Sequence, residues 1–245
     1  MKHLLIFLIL CASVLGATFT STGAGNWNAD IWGKGAGGEG VNYPGNGDTV
    51  ILAHDVVANI ARIPATGTLG LVTNVGAGEL TLAVDTCTSV NAVSFDSAGG
   101  TDILHLTGAR AAALTITGNL IAGDDAGEDC LAVDAVNLTV TVNGNVTGGD
   151  INTSDGITLS STGSTVTVTG EVAGGGDDSS GPGINVVQPS TLTIGTLVFA
   201  DASGLPLSGS GVTAITITTV KVNGTALGTS SSGTTGALYK TLYGD

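Results

Sequence analysis

Positive charge is almost missing from this sequence. Six Lys and Arg stand against 20 Asp and Glu in 245 residues, for a formal net charge of −14, and no Lys, Arg or His occurs between residues 111 and 220. Nucleic-acid binding draws its affinity from cations placed on phosphates, so that class of function is excluded. Attraction to anionic lipid headgroups is excluded on the same ground. Aromatic residues are also scarce, at 4%, and Phe199 is the only one in that same stretch. A sugar-stacking groove there would have almost no ring to use. Of three cysteines, Cys11 falls in the leader described below, leaving Cys87 and Cys130. Two are too few for a disulfide framework or a Cys-based zinc site. They occupy different places in the repeat set out below, so two buried thiols are expected, with a disulfide as the lesser alternative. The apolar run of residues 4–10 is too short to span a membrane.

That run follows Lys2 and precedes the small residues of Val14-Leu15-Gly16-Ala17. This is the pattern of a secretory signal peptide over residues 1–16, and it implies a secreted or cell-surface chain with no transmembrane segment once mature. Cys11 sits where a lipoprotein cysteine would sit. Leu10 before it does not suit that site, so an ordinary leader cysteine is preferred.

What the sequence does hold is a repeat. Thr115-Ile116-Thr117-Gly118-Asn119-Leu120-Ile121 returns as Thr141-Val142-Asn143-Gly144-Asn145-Val146-Thr147, then as Thr167-Val168-Thr169-Gly170-Glu171-Val172-Ala173. A worn copy surrounds Gly195. The steps between marker glycines are 144−118 = 26, 170−144 = 26 and 195−170 = 25. A fixed period of this size marks a solenoid, propeller or array. Each period contains three short apolar–polar alternations rich in Val, Ile and Thr, at 138–142, 145–147 and 157–160 in one copy. Propeller blades need about 40 residues or more, and a sandwich requires no constant step. The chain is therefore expected to be all-β, a single-stranded parallel β-helix (β-solenoid), right-handed by the general crossover rule. Val, Leu and Ile would face inward and Thr, Ser and Asn outward, where a β-branched polar residue suits a solvated sheet. The acidity would keep that surface soluble and discourage lateral pairing.

Residues 17–47 differ in character. They hold Trp27, Trp32 and a Gly-rich run at 33–40. Asn26-Trp27-Asn28, then Trp32, then Pro44-Gly45-Asn46-Gly47-Asp48-Thr49-Val50-Ile51 resembles the opening segment of secreted bacterial and phage-associated parallel β-helix surface proteins. The resemblance spans roughly residues 24–85. It implies a segment covering the first coil and an adhesin-like or structural role, and it transfers no active-site residue. Physics agrees, because an open solenoid end exposes apolar rungs and unpaired strand edges. Trp27, Trp32 and Tyr43 would supply bulk; a sugar-stacking platform is the functional alternative. The expected organisation is a signal peptide at 1–16, a capping segment at 17–47, a parallel β-helix at 48–228, and a Ser/Thr/Gly linker with an apolar tail at 229–245.

The best candidate for chemistry is acidic. Asp124, Asp125, Glu128 and Asp129 follow one strand, Asp150 its equivalent one coil on, Asp177 and Asp178 the next, and Asp201 the one after. Stacked turns would make a column of carboxylates. Calcium favours such oxygen ligands, which makes Asp124, Asp125, Asp150, Asp177 and Asp178 candidate metal ligands. Solvated turn aspartates are the bland alternative. No other cofactor is implied. A glycoside hydrolase needs two carboxylates at a defined gap, which Asp124 or Asp125 with Asp150 would supply. His54 and His105 fall in strand-like segments and suggest no triad. Gly174-Gly175-Gly176 is a turn without the Lys of a phosphate loop. Acceptor-like Asn137, Asn145, Asn152 and Asn223 are expected by chance in so Asn- and Thr-rich a chain. The expected function is a non-catalytic structural or adhesive module meeting a polysaccharide or protein ligand outside the cell. A polysaccharide hydrolase is the alternative.

Overall fold

The computed structural model describes residues 16–34, 42–83, 85–99, 102–107, 113–123, 129–150, 154–175, 181–199, 206–222 and 225–233. Among them every regular element is a strand, and the strands stack as a parallel β-solenoid. Val142 lies between Ile116 and Val168, parallel to both and in register. One period is therefore one coil.

Each coil gives a long run to a 13-stranded sheet and a short strand to an 8-stranded sheet. Ala113–Ile121 is followed by Leu131–Val133, Thr165–Ala173 by Ile184–Val186, and Ser190–Phe199 by Leu207–Ser208. Alternation sends every second residue inward, and the inward residues form ladders. Leu114, Val140, Val166, Leu192 and Ile215 make one ladder, and Ile116, Val142, Val168, Ile194 and Ile217 the next. Leu80, Leu104, Leu131, Ile157, Ile184 and Leu207 face them from the shorter sheet. All are buried in one continuous core.

The outward positions of the long sheet form rows as well. Thr115, Thr141, Thr167, Thr193 and Thr216 follow one another on successive strands, with Ser89 before them. Beside this row run Thr139, Thr165 and Thr191. On its other side lie Thr117 and Asn143, with Thr169 on the next strand.

The marker glycines stand where the long run changes direction, and the register shifts there, between Thr117 and Asn119 and between Val168 and Glu171. A Cβ on Gly144 would run into the Gly118 carbonyl, and one on Gly170 into the Gly144 carbonyl. Gly118 also has φ +134°, a conformation side chains disfavour. Just past this corner the Asn145 N–H donates to Asn119 Oδ1 (3.0 Å) and the Glu171 N–H to Asn145 Oδ1 (2.9 Å). The repeat thus encodes a corner: a glycine for clearance, then a side chain that bonds the coil above.

Both ends of the long sheet depart from the expected boundaries. The first parallel rung is Thr18–Ser21, inside the segment read as a cap, and it pairs with Thr49–Leu52. Trp32–Lys34 then closes that edge antiparallel. At the other end Thr225–Gly233 pairs antiparallel with Val212–Val222, so residues 229–233, expected as linker, are strand. An antiparallel strand occupies the edge groups that another parallel rung would otherwise seek. Residues 1–15, with most of the signal peptide, and the apolar tail at 234–245 lie outside the described residues.

Trp27 and Trp32 are buried, with ring centroids 5.1 Å apart in an edge-to-face arrangement, and Trp32 Nε1 donates to the Trp27 carbonyl at 2.7 Å. Rings held this way pack the first coils, which corrects the sugar-stacking alternative. Cys87 and Cys130 are free buried thiols. Burial pushes the Cys87 pKa up to about 11 and that of Cys130 well above the ordinary thiol range, which favours the protonated thiol at both.

Candidate functional site

Of the five acids proposed for calcium, Asp124, Asp125, Asp177 and Asp178 lie outside the described residues, as do Glu128 and Asp201. Asp150 is described and exposed. Among the described residues no group of three His, Cys, Asp or Glu is gathered closely enough to hold a metal ion. His54 is exposed, with Nδ1 3.0 Å from the Ser21 carbonyl.

The structure assembles a different acidic column. Leu104, Leu131 and Ile157 are register partners on the shorter sheet, and each is preceded by two residues by an aspartate: Asp102, Asp129 and Asp155. The column is tied through the backbone. The Asp102 carboxylate accepts from the Asp129 N–H, and Asp129 Oδ1 accepts from the Asp155 N–H at 2.7 Å. Asp155 Oδ2 accepts from Thr158 Oγ1 (2.9 Å) and from Asn185 Nδ2 (2.7 Å), and Ser208 Oγ donates to Asn185 Oδ1 (3.2 Å). Asp155 is only 4% exposed, and its other oxygen has no partner.

Beside the column runs the outer row Thr81, His105, Ala132, Thr158, Asn185 and Ser208. His105 is clasped by two carboxylates. Its Nδ1 lies 3.3 Å from Glu79 Oε1 and its Nε2 2.9 Å from Asp134 Oδ2. Thr81 Oγ1 donates to the same Glu79 oxygen at 3.0 Å.

These surroundings move proton affinities. Burial, then the Asp129 charge, raises the Asp102 pKa to about 7, against the pull of His105. Burial raises Asp155 to about 6, although Asn185 and Thr158 stabilise its charge. Burial raises Asp129 too, opposed by its bonds to the Asp155 N–H and Thr158. For His105, burial works against the charged form, but Asp134 and Glu79 outweigh it and the pKa rises. All four groups hold protons more tightly folded than unfolded. For a carboxyl so raised, stability is full below the unfolded pKa and falls as pH climbs toward the folded one, here from about 4 to about 7. The His105 contribution falls as pH rises through its raised pKa, in the same direction. The melting temperature should therefore be higher at pH 5 than at pH 8. Asp102→Asn should raise it at pH 8 and shrink the difference. A variant melting with the wild-type pH dependence would refute this assignment.

Two uses of the column are chemically open. A carboxyl that stays protonated near neutrality beside a carboxylate is the pairing that acid–base catalysis needs. The same carboxylates also satisfy the backbone of the next coil, as the Asn119–Asn145 ladder does at the glycine corner. The sequence carried a signal for the column: steps of 129−102 = 27 and 155−129 = 26, each aspartate two residues before an apolar rung. The irregular coil around Asp102 hides the repeat there, so that in the sequence Asp129 groups with the turn acids after the preceding strand.

Among the described residues no helix is long and apolar enough to cross a membrane. A scan against protein-family models, a search of curated proteins and a search of solved structures each return no match for this chain.

Proposed function

We propose that this chain is an exported, non-catalytic β-solenoid that presents a stiff polar surface at the cell exterior, as a structural or adhesive module. One observation carries the proposal: among the described residues, the tryptophans, the thiols and several acids and amides are spent on the fold. Both tryptophans and both thiols are interior, and Asp102, Asp129 and Asn145 bond neighbouring coils. The outer rows of the long sheet ahead of the glycine corner are mainly Thr, Ser and Asn. In this proposal calcium is kept for Asp124, Asp125, Asp150, Asp177 and Asp178, and the ligand is a polysaccharide or protein outside the cell.

A second function has one observation in its favour, the raised Asp102 beside Asp129. It would be polysaccharide hydrolysis, moved from the turn acids to this column, since perturbed carboxyls gather at active sites. Reducing-sugar release from a panel of neutral and acidic polysaccharides separates the two. No release is expected. Release that Asp102→Asn abolishes, with the fold intact by circular dichroism, would replace the scaffold proposal by the enzyme.

A further inference from the structure

The threonine face of the long sheet is a two-dimensional net. Its central row is Thr115, Thr141, Thr167, Thr193 and Thr216, one residue per strand. Parallel strands lie about 4.7–4.9 Å apart, and side chains on the same face of a strand repeat every two residues, at about 6.6 Å. Thr139, Thr165 and Thr191 form the neighbouring row at that second spacing. The register shifts fall outside this block, at the glycine corner and at the strand end between Ser190 and Thr191. The net is thus regular along both axes, and the apolar ladders directly beneath it hold the coils over one another.

The net is also uncharged. In a chain of net charge −14, its positions from Thr115 to Thr216 carry only hydroxyls and methyls; the row meets a charge beyond Ser89, at Arg62. A charged side chain imposes its own hydration shell; a threonine does not. Its methyl restricts the orientation of neighbouring water, and its hydroxyl both donates and accepts. A neutral grid of such groups suits a partner that is itself neutral, periodic and made of hydrogen-bonding oxygens. The prism face of hexagonal ice is such a surface. Its oxygen atoms lie on a rectangular net whose short repeat is close to the strand spacing and whose long repeat is a little larger than the two-residue spacing.

We propose that the face centred on Thr141 and Thr167 binds the surface of ice. Water ordered over the threonine rows would merge with the crystal lattice, and the rigidity of the sheet would keep many weak contacts in phase. The inference goes beyond the surface-module proposal and stands without it, because the face is the same whether the chain is anchored or free.

The test uses the full chain in dilute buffer below 0 °C. Wild type is expected to show thermal hysteresis, to shape growing ice crystals and to be enriched in a slowly grown ice hemisphere. Thr167→Tyr, which lifts a ring above the net, should lose the hysteresis and the enrichment. Thr147→Tyr, beyond the glycine corner, should keep both. Circular dichroism melts of the two variants check that the fold survives. If Thr167→Tyr does not fold, Thr167→Ser, which deletes the methyl alone, should weaken the hysteresis. A wild type that freezes without hysteresis and is excluded from ice overturns the proposal. So does hysteresis that no substitution on this face weakens, or retention on crystalline cellulose or chitin without any on ice. None of these outcomes bears on sugar release, which tests the scaffold proposal separately.

Discussion

Val142→Asp is expected to abolish cooperative folding, whereas the same substitution one residue earlier, Thr141→Asp, should leave a folded solenoid. Val142 is fully buried between Ile116 and Val168. A carboxyl placed there finds no partner, and burying an unpartnered polar group costs about 2–7 kcal/mol even when it stays protonated. Stabilities of single domains run only to about 5–15 kcal/mol. In a stack where each coil rests on its neighbours, a break in the middle also strips support from both sides. Thr141 faces outward between Thr115 and Thr167. Its replacement should cost about 1 kcal/mol, chiefly as poorer strand propensity. The pair tests the register itself, since a slip of one residue exchanges the two faces. Urea or thermal melts of both variants give the answer; a Thr141→Asp protein less stable than Val142→Asp would invert the sheet.

Gly144→Val should be nearly as damaging, for a steric reason. The missing Cβ of Gly144 points at the Gly118 carbonyl, a backbone atom that cannot rotate away. The corner must open between two coils, separating hydrogen bonds such as that from the Asn145 N–H to Asn119 Oδ1. Overpacking of this kind, applied to rigid neighbours, costs about 3 kcal/mol. Gly163→Ala makes a useful contrast. Gly163 also has positive φ (+77°), but its Cβ would meet the Asn137 side chain, which can move, so a smaller drop in melting temperature is expected. Equal melting of Gly144→Val and wild type would remove the glycine corner as an explanation of the repeat.

The two variants mark how far the sequence could be read. Val142 and Val168 were legible as stacked equivalents because coils of nearly constant length must place the same residue over itself. The marker glycines were legible as positions, not as a mechanism; the carbonyl beneath each appears only once the coils are stacked. The ends were less legible. Thr18–Ser21 carries the strand alternation but precedes any recognisable repeat, and Thr225–Gly233 is so rich in Ser, Thr and Gly that its composition points to a linker. Edge pairing decides both, and composition does not encode an edge.

The acids show the same division. Asp102, Asp129 and Asp155 gain their character from burial and from one another, not from their spacing alone. By itself the sequence determined a periodic, acidic, all-β chain with apolar rungs inside and threonine outside, because strand alternation and a constant period are local properties. Only the tertiary structure decided which carboxylates share a column, that the tryptophans are interior, and that the threonines of successive coils lie in register on one face. Those facts depend on contacts between coils, where neighbours twenty-six residues apart set the space and the solvent available to each side chain.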